Sequence, residues 1–240
     1  MTLIKVLNSG SDGNGYLIIT ENETLLLECG VYPKEMLDAT HYNVKSIVGA
    51  LVSHEHGDHA QYVKKYANYG FPIIASEEVS DRLYEKYGVT ACRWKRNAVH
   101  KIGGFDIVPF RVPHNETECD GFLIKHTEFG RLLFITDLEY CPYDFSKMHI
   151  NHVLVECNYS AEKVDMDDPN TAHVFRGHME LQTTKKFVRT ILHPNLHTVG
   201  LIHLSGKNAD PYAIKMEMEQ EFIEQSFWIA DKGTEIYLGG

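Results

Sequence analysis

The sequence predicts a layered α/β fold, and three observations carry that reading. Short apolar runs with strand character recur along the chain, helical patterns alternate with them from residue 33 onward, and potential metal ligands stand directly after several of the runs. With 240 residues and 43% hydrophobic content the chain can bury one substantial core, so a single domain over 1–240 is expected.

The elements follow in order. Leu3–Leu7 and Tyr16–Thr20 read as strands around the loop 8–15, so rich in Gly, Ser and Asn that positive φ angles are expected there. Thr24–Glu28 completes an opening β-meander. Pro33–Ala39 has a short helical pattern, Ile47–Val52 is a buried strand, and Ala60–Tyr69 repeats its tyrosines at helical spacing, a stripe that suits core packing. Pro72–Ala75 is a short strand, and Ser76 caps a helix that runs to Tyr87 before Gly88, with Glu77 and Glu78 in the first turn. The basic cluster 93–96 suits a solvated strand edge better than a nucleic-acid contact. Phe105–Val112, Gly121–His126, Arg131–Thr136 and Val153–Val155 are further strands, the middle two forming a hairpin. Tyr159–Gly177 is polar and aperiodic and reads as a loop over one rim, a small lid. A helix over Met179–Leu192, the strand Thr198–Ile202, a helix from Asp210-Pro211 to about Gln225, and the strands Phe227–Ile229 and Glu235–Leu238 complete the chain. No internal repeat is present.

Composition narrows the function. The formal net charge of −10 argues against a large non-specific nucleic-acid surface, although bound divalent cations would add positive charge where a phosphate-bearing substrate needs it. Five scattered cysteines without a C-x-x-C pair fit reduced thiols. No apolar stretch reaches membrane-spanning length and the first residues lack a signal-peptide layout, so a soluble, cytoplasmic protein without a membrane partner is expected, its oligomeric state open.

The chemistry is concentrated in Ser53-His54-Glu55-His56-Gly57-Asp58-His59, at the exit of a buried strand. His114, Asp137 and His203 also come directly, or within two residues, after apolar runs. Ligand sites in layered α/β folds gather at the carboxyl ends of strands, so these distant residues can converge. Five histidines and two carboxylates suit two divalent ions, zinc first, and the absence of cysteine leaves manganese or iron open.

The H-x-H-x-D-H loop with single ligands at His114, Asp137 and His203 resembles the metallo-β-lactamase-fold hydrolase superfamily. The resemblance implies a four-layer αββα sandwich, two mixed sheets face to face with helices outside. It implies that His54, His56 and His114 hold one metal, that Asp58, His59 and His203 hold the other, and that Asp137 bridges them. A metal-bridging hydroxide would then be the nucleophile, since two ions about 3.5–4 Å apart lower the pKa of a shared water and clamp the attacking and leaving oxygens. Asp58 would be catalytic as well as a ligand.

Within the superfamily the segments 8–14, Val112-Pro113-His114-Asn115-Glu116, Glu156-Cys157-Asn158, Gly177-His178-Met179 and His203-Leu204-Ser205 resemble the small WalJ-type hydrolases, related to phosphodiesterases and exonucleases. Glu28-Cys29-Gly30 and Met179-Glu180 depart from that pattern. His178, read as opening a helix, is the candidate general acid or phosphate contact, with His173 a weaker one, and Ser11 and Asn14 are candidate substrate-binding residues. Asp137 and His203 are 203 − 137 = 66 positions apart, which leaves no room for a β-CASP insertion. The leading expectation is a dinuclear metal-dependent phosphodiesterase or nuclease acting on a nucleic-acid end or small nucleotide. Hydrolysis of a carboxylic ester, lactone or thioester at the same site is the catalytic alternative, and a metal-stabilised binding or sensing domain the non-enzymatic one.

Overall fold

Seven ligand candidates spread over 150 positions of chain can meet only if several strands end along one edge, and the topology supplies that edge. The computed structural model describes residues 2–239. In the first sheet β1 (Leu3–Asn8), β2 (Gly15–Ile19) and β3 (Thr24–Leu27) form the expected antiparallel meander. β4 (Ile47–Leu51), β5 (Ile73–Ser76) and β6 (Cys92–Trp94) then add in parallel. In the second sheet β7 (His100–Ile102), β8 (Phe105–His114), β9 (Thr117–His126) and β10 (Gly130–Ile135) are antiparallel. β11 (His152–Glu156), β12 (Thr198–Ile202) and β13 (Ser226–Ile229) follow in parallel, and β14 (Glu235–Tyr237) returns to pair with β1. Both sheets are therefore mixed and seven-stranded.

Three apolar layers hold them. The central one is built from inward residues of both sheets, among them Ile4, Tyr16, Leu27, Phe105, Phe122 and Phe134. Outside the first sheet lie α1 (Pro33–Ala39), α2 (Gly57–Ala60), α3 (Val63–Ala67) and α4 (Glu77–Tyr87), contributing Met36, Val63, Tyr66, Val79 and Leu83. Outside the second lie α6 (Leu181–Ile191) and α7 (Pro211–Glu221), contributing Phe187, Val188, Ile214 and Met218, while the short α5 (Thr171–Gly177) precedes α6 at the rim. Two sheets buried on both faces explain the near-continuous apolar strands β10 to β12. This is the αββα sandwich. Ser76 caps α4 by accepting from the Val79 amide, and Gly88 ends it in the left-handed conformation.

Several expectations need correction. The helix expected over Ala60–Tyr69 starts earlier, at Gly57, and is broken into α2 and α3, because the Tyr62 amide donates to the Cys29 carbonyl and Gln61 donates to the Gly30 carbonyl. Those bonds pin the turn to the end of β3. The tyrosine stripe is split accordingly, with Tyr66 in the core and Tyr69 exposed. The segment 159–177 is not all loop, since α5 occupies its last turns, too short to show a period in sequence. His178 does not open a helix: α6 begins at Leu181 behind Glu180, whose carboxylate accepts from the amides of Gln182 and Thr183. The helix from Pro211 ends at Glu221, short of Gln225. The basic cluster lies at β6, the outer strand of its sheet, and Arg96 is tied to Asp120 and Glu118.

Candidate metal centre

The site is assembled by strand ends that turn sharply. Glu28, Asn115 and His203 each follow the last residue of β3, β8 and β12, and Asp137 stands two residues past β10; all four have positive φ, between 47° and 67°. Asn, Asp and His tolerate this conformation better than most residues because their short polar side chains bond locally. The loop 53–59 enters from the end of β4, and α2 carries Asp58 and His59.

Side-chain atoms of His54, His56, His114 and Asp137 lie within 4.8 Å of one another, and so do those of Asp58, His59, Asp137 and His203. Asp137 belongs to both groups. Its Oδ2 is 3.6 Å from both His54 Nε2 and His114 Nε2, while its Oδ1 is 3.2 Å from His59 Nε2 and 3.5 Å from His203 Nδ1. Each carboxylate oxygen therefore faces one group. His54 Nε2 is buried with no hydrogen-bond partner among the described residues, although Ser53 Oγ contacts its Nδ1 at 2.9 Å. A buried imidazole nitrogen left unpaired and aimed at carboxylates is suited to a cation, and the His and Asp donor set fits divalent metal ions.

The other ring nitrogens are fixed by neighbours. His114 Nδ1 donates to the Gly177 carbonyl at 2.8 Å, which leaves Nε2 to face the group. His59 Nδ1 is 3.5 Å from Glu28 Oε2, and Glu28 also accepts from the Ser53 amide at 3.3 Å. Glu28 thus supplies a carboxylate at the end of β3, where the sequence departs from the WalJ-type pattern. His203 Nδ1 and His178 Nδ1 both reach Glu156 Oε1, at 2.9 and 2.8 Å, and Glu156 Oε2 accepts from the amides of Leu138 and Met179.

The electrostatics follow. Burial lowers the pKa of His54 well below its ordinary value, reinforced by the facing histidines. Burial also opposes the charged form of His203, but Asp137, Asp58 and Glu156 outweigh it and push its pKa up to about 10. His178 is raised in the same manner, burial being overcome by Glu156. For Asp137 burial is overcome by the surrounding histidines, His203 first, which hold its carboxyl well below the usual range. Apart from His54, the opposite charges of neighbouring groups outweigh burial and set the direction of each shift.

The seven residues singled out in sequence are thus brought together. Ser11 is exposed at the loop tip. Asn14, expected to touch substrate, is fully buried, its amide 3.0 Å from His59 Nε2 and 3.3 Å from Asp58 Oδ2. His173 lies at the rim, 3.4 Å from the Asn115 amide, with its ring 5.9 Å from that of His178. Sequence reasoning named Glu156 only as part of a resembling segment and missed its position. The available signal was a carboxylate ending the apolar run 153–155, just as His203 ends 198–202.

Two mixed sheets with paired His and Asp groups at one edge define the metallo-β-lactamase fold. The chain belongs to the beta-lactamase superfamily, whose domain model matches residues 26–203. It is 25% identical over 242 residues to the exodeoxyribonuclease YycJ of Bacillus anthracis, covering 94% of this chain and 91% of that one. Among solved structures it resembles the metallo-beta-lactamase fold protein YhfI from Bacillus subtilis, with a TM-score of 0.76 at 19% identity, covering 99% of this chain and 100% of that one. The short form of human tRNase Z gives a TM-score of 0.70 at 14% identity with the same coverage. No helix among the described residues is long and apolar enough to cross a membrane.

Proposed function

We propose that this chain is a single-domain, dinuclear metal-dependent phosphodiesterase that acts on nucleic-acid strands. The observation that carries the reading is the split carboxylate of Asp137, one oxygen facing each of two ligand groups, beside the unpaired His54 Nε2. His54, His56 and His114 would hold one ion, Asp58, His59 and His203 the other, and Asp137 both. Zinc suits the imidazole-rich donor set first, with manganese or iron as alternatives. When bound, two such ions would supply an activated water at neutral pH and charge stabilisation for the oxygens of an in-line displacement. The exodeoxyribonuclease relative supports a phosphodiester substrate.

The protein's own groups do the rest. Asp58, only partly buried, would orient the attacking water as well as hold an ion. Glu156 binds Nδ1 of His178, so Nε2 is the nitrogen available to give its proton to the leaving oxygen as the ester P–O bond breaks. His203 is kept in one orientation by Glu156 and by Asn158, whose amide donates to the His203 carbonyl at 2.8 Å. Gly177 anchors His114 and packs so closely that an added Cβ would meet the Asn115 amide at 2.7 Å, which ties the rim segment to the centre.

Metal analysis followed by turnover of a chromogenic phosphodiester tests the reading. The expected result is two divalent ions per chain and hydrolysis that Asp58→Ala abolishes. Full activity in a metal-replete Asp58→Ala protein, or no turnover with both ions bound, would overturn it, and turnover of a lactone alone would transfer the site to carbonyl chemistry. Screening DNA, RNA and cyclic nucleotides with one metal-loaded preparation identifies the substrate class.

A further inference from the structure

A groove of about 370 Å³ lies between the segment 140–144 and one face of α6. Its α6 wall is Thr183, Lys186, Phe187 and Thr190, the spacing of a single helix face about 10 Å long. The opposite wall includes Tyr140 and Tyr143. Tyr143 is held edge-on against Phe110 at 5.2 Å, whereas Tyr140 leaves half its surface exposed. Lys185 is tied to Glu217 and Glu221, but its neighbour Lys186 is exposed, with no carboxylate partner among the described residues. Such a volume is that of a small-molecule subsite, and its lining joins two tyrosines, threonine hydroxyls, the Asp144 carboxylate and the Lys186 ammonium.

The groove is registered to the centre by one side chain. Glu156, which binds His178 and His203, accepts with its second oxygen from the amides of Leu138 and Met179, the residues from which the two walls depart. Tyr140 follows Leu138 by two residues, at most about 7 Å of chain, and Thr183 follows Met179 by four. The groove therefore begins within a few residues of the Glu156–His178 pair, the side on which His178, as the proposed general acid, would meet the leaving oxygen.

We propose that this groove binds the nucleotide next to the scissile phosphate on the leaving side of a single-stranded nucleic acid, its base against Tyr140 and Tyr143 and a backbone phosphate at Lys186. The proposal rests on the phosphodiesterase reading. Tyrosine faces accept any base and the lysine adds a phosphate contact, the recurring chemistry of single-strand grooves. It also reconciles a chain of net charge −10 with a polyanionic substrate, because recognition is local and depends on stacking rather than on a broad basic surface.

The test compares wild type, Tyr140→Ala, Lys186→Ala and, as a distant control, Tyr212→Ala on α7. Each is assayed for binding of a fluorescein-labelled single-stranded oligodeoxynucleotide by anisotropy, and for kcat/KM on that oligonucleotide and on a small chromogenic phosphodiester. Tyr140→Ala should weaken oligonucleotide binding about tenfold and lower the oligonucleotide-to-small-substrate ratio of kcat/KM by a similar factor. Tyr140→Phe should restore both, and Tyr212→Ala should change neither. Wild-type affinity in Tyr140→Ala and Lys186→Ala, an equal loss on both substrates, or no oligonucleotide binding by wild type would each overturn the proposal. If wild type binds the oligonucleotide and the variants do not, while no phosphodiester is hydrolysed, the groove stands and the catalytic reading fails.

Discussion

Glu156 shows how much one buried carboxylate can arrange: four donors converge on it, two from imidazoles and two from amides. Glu156→Gln removes the charge that favours protonated His178 and leaves an amide where two imidazoles need an acceptor. It should weaken ion affinity about 10- to 100-fold, measured by competition with a chelator. His178→Asn, by contrast, should leave ion content unchanged and lower kcat by about 10²- to 10⁴-fold on a substrate with a poor leaving group. A smaller effect with an activated leaving group would locate His178 at the leaving oxygen. The seven residues of the two His and Asp groups were legible in sequence because each stands at or near the exit of an apolar run. Asn14, Glu28 and Glu156 were not, because a residue that orients another is fixed by three-dimensional neighbours and carries no spacing of its own. The Asn14 side chain, a candidate substrate contact in the sequence, is buried against Asp58 and His59.

Elements with strong local signals were readable to within a residue or two. α4 has its capping serine, acidic first turn and terminal glycine, and α1 begins at Pro33 as expected. The break between α2 and α3 was hidden, since it is made by hydrogen bonds from Gln61 and Tyr62 to the carbonyls of Gly30 and Cys29, just past β3 and far away in sequence. That junction is unusually close: an added Cβ on Gly30 would stand 1.6 Å from the Asp58 carbonyl oxygen. Gly30→Ala must therefore push α2 outward and carry Asp58 with it. The expected outcome is a lowered thermal midpoint together with loss of ion binding, read by scanning calorimetry and metal analysis. A variant that keeps both would show that α2 is not seated on β3 in solution.

At the scale of the molecule, the central layer and the metal centre make separate contributions to stability. Phe134 is fully buried between the sheets, packed on Phe122 and edge-on to Tyr16, and Phe134→Ala should cost about 3–5 kcal/mol by denaturant unfolding. Chelation should lower the thermal midpoint without touching that layer, since ions bind the folded chain by residues that do not converge when it is unfolded. The layered class was readable from the alternation of apolar runs, whereas the partition of fourteen strands into two sheets was not, because strands of both sheets have similar apolar content.

The four strand ends at positive φ have an evolutionary consequence. Holding Glu28, Asn115, Asp137 and His203 in the left-handed region costs on the order of 1–3 kcal/mol each, a cost that glycine would largely avoid. A selection for thermal tolerance alone, run in the absence of metal, should therefore favour glycine at these positions, Glu28 first because glutamate is least at home there. The lineages that emerge would be sturdier and inert. The centre persists only while selection on activity outweighs selection on stability.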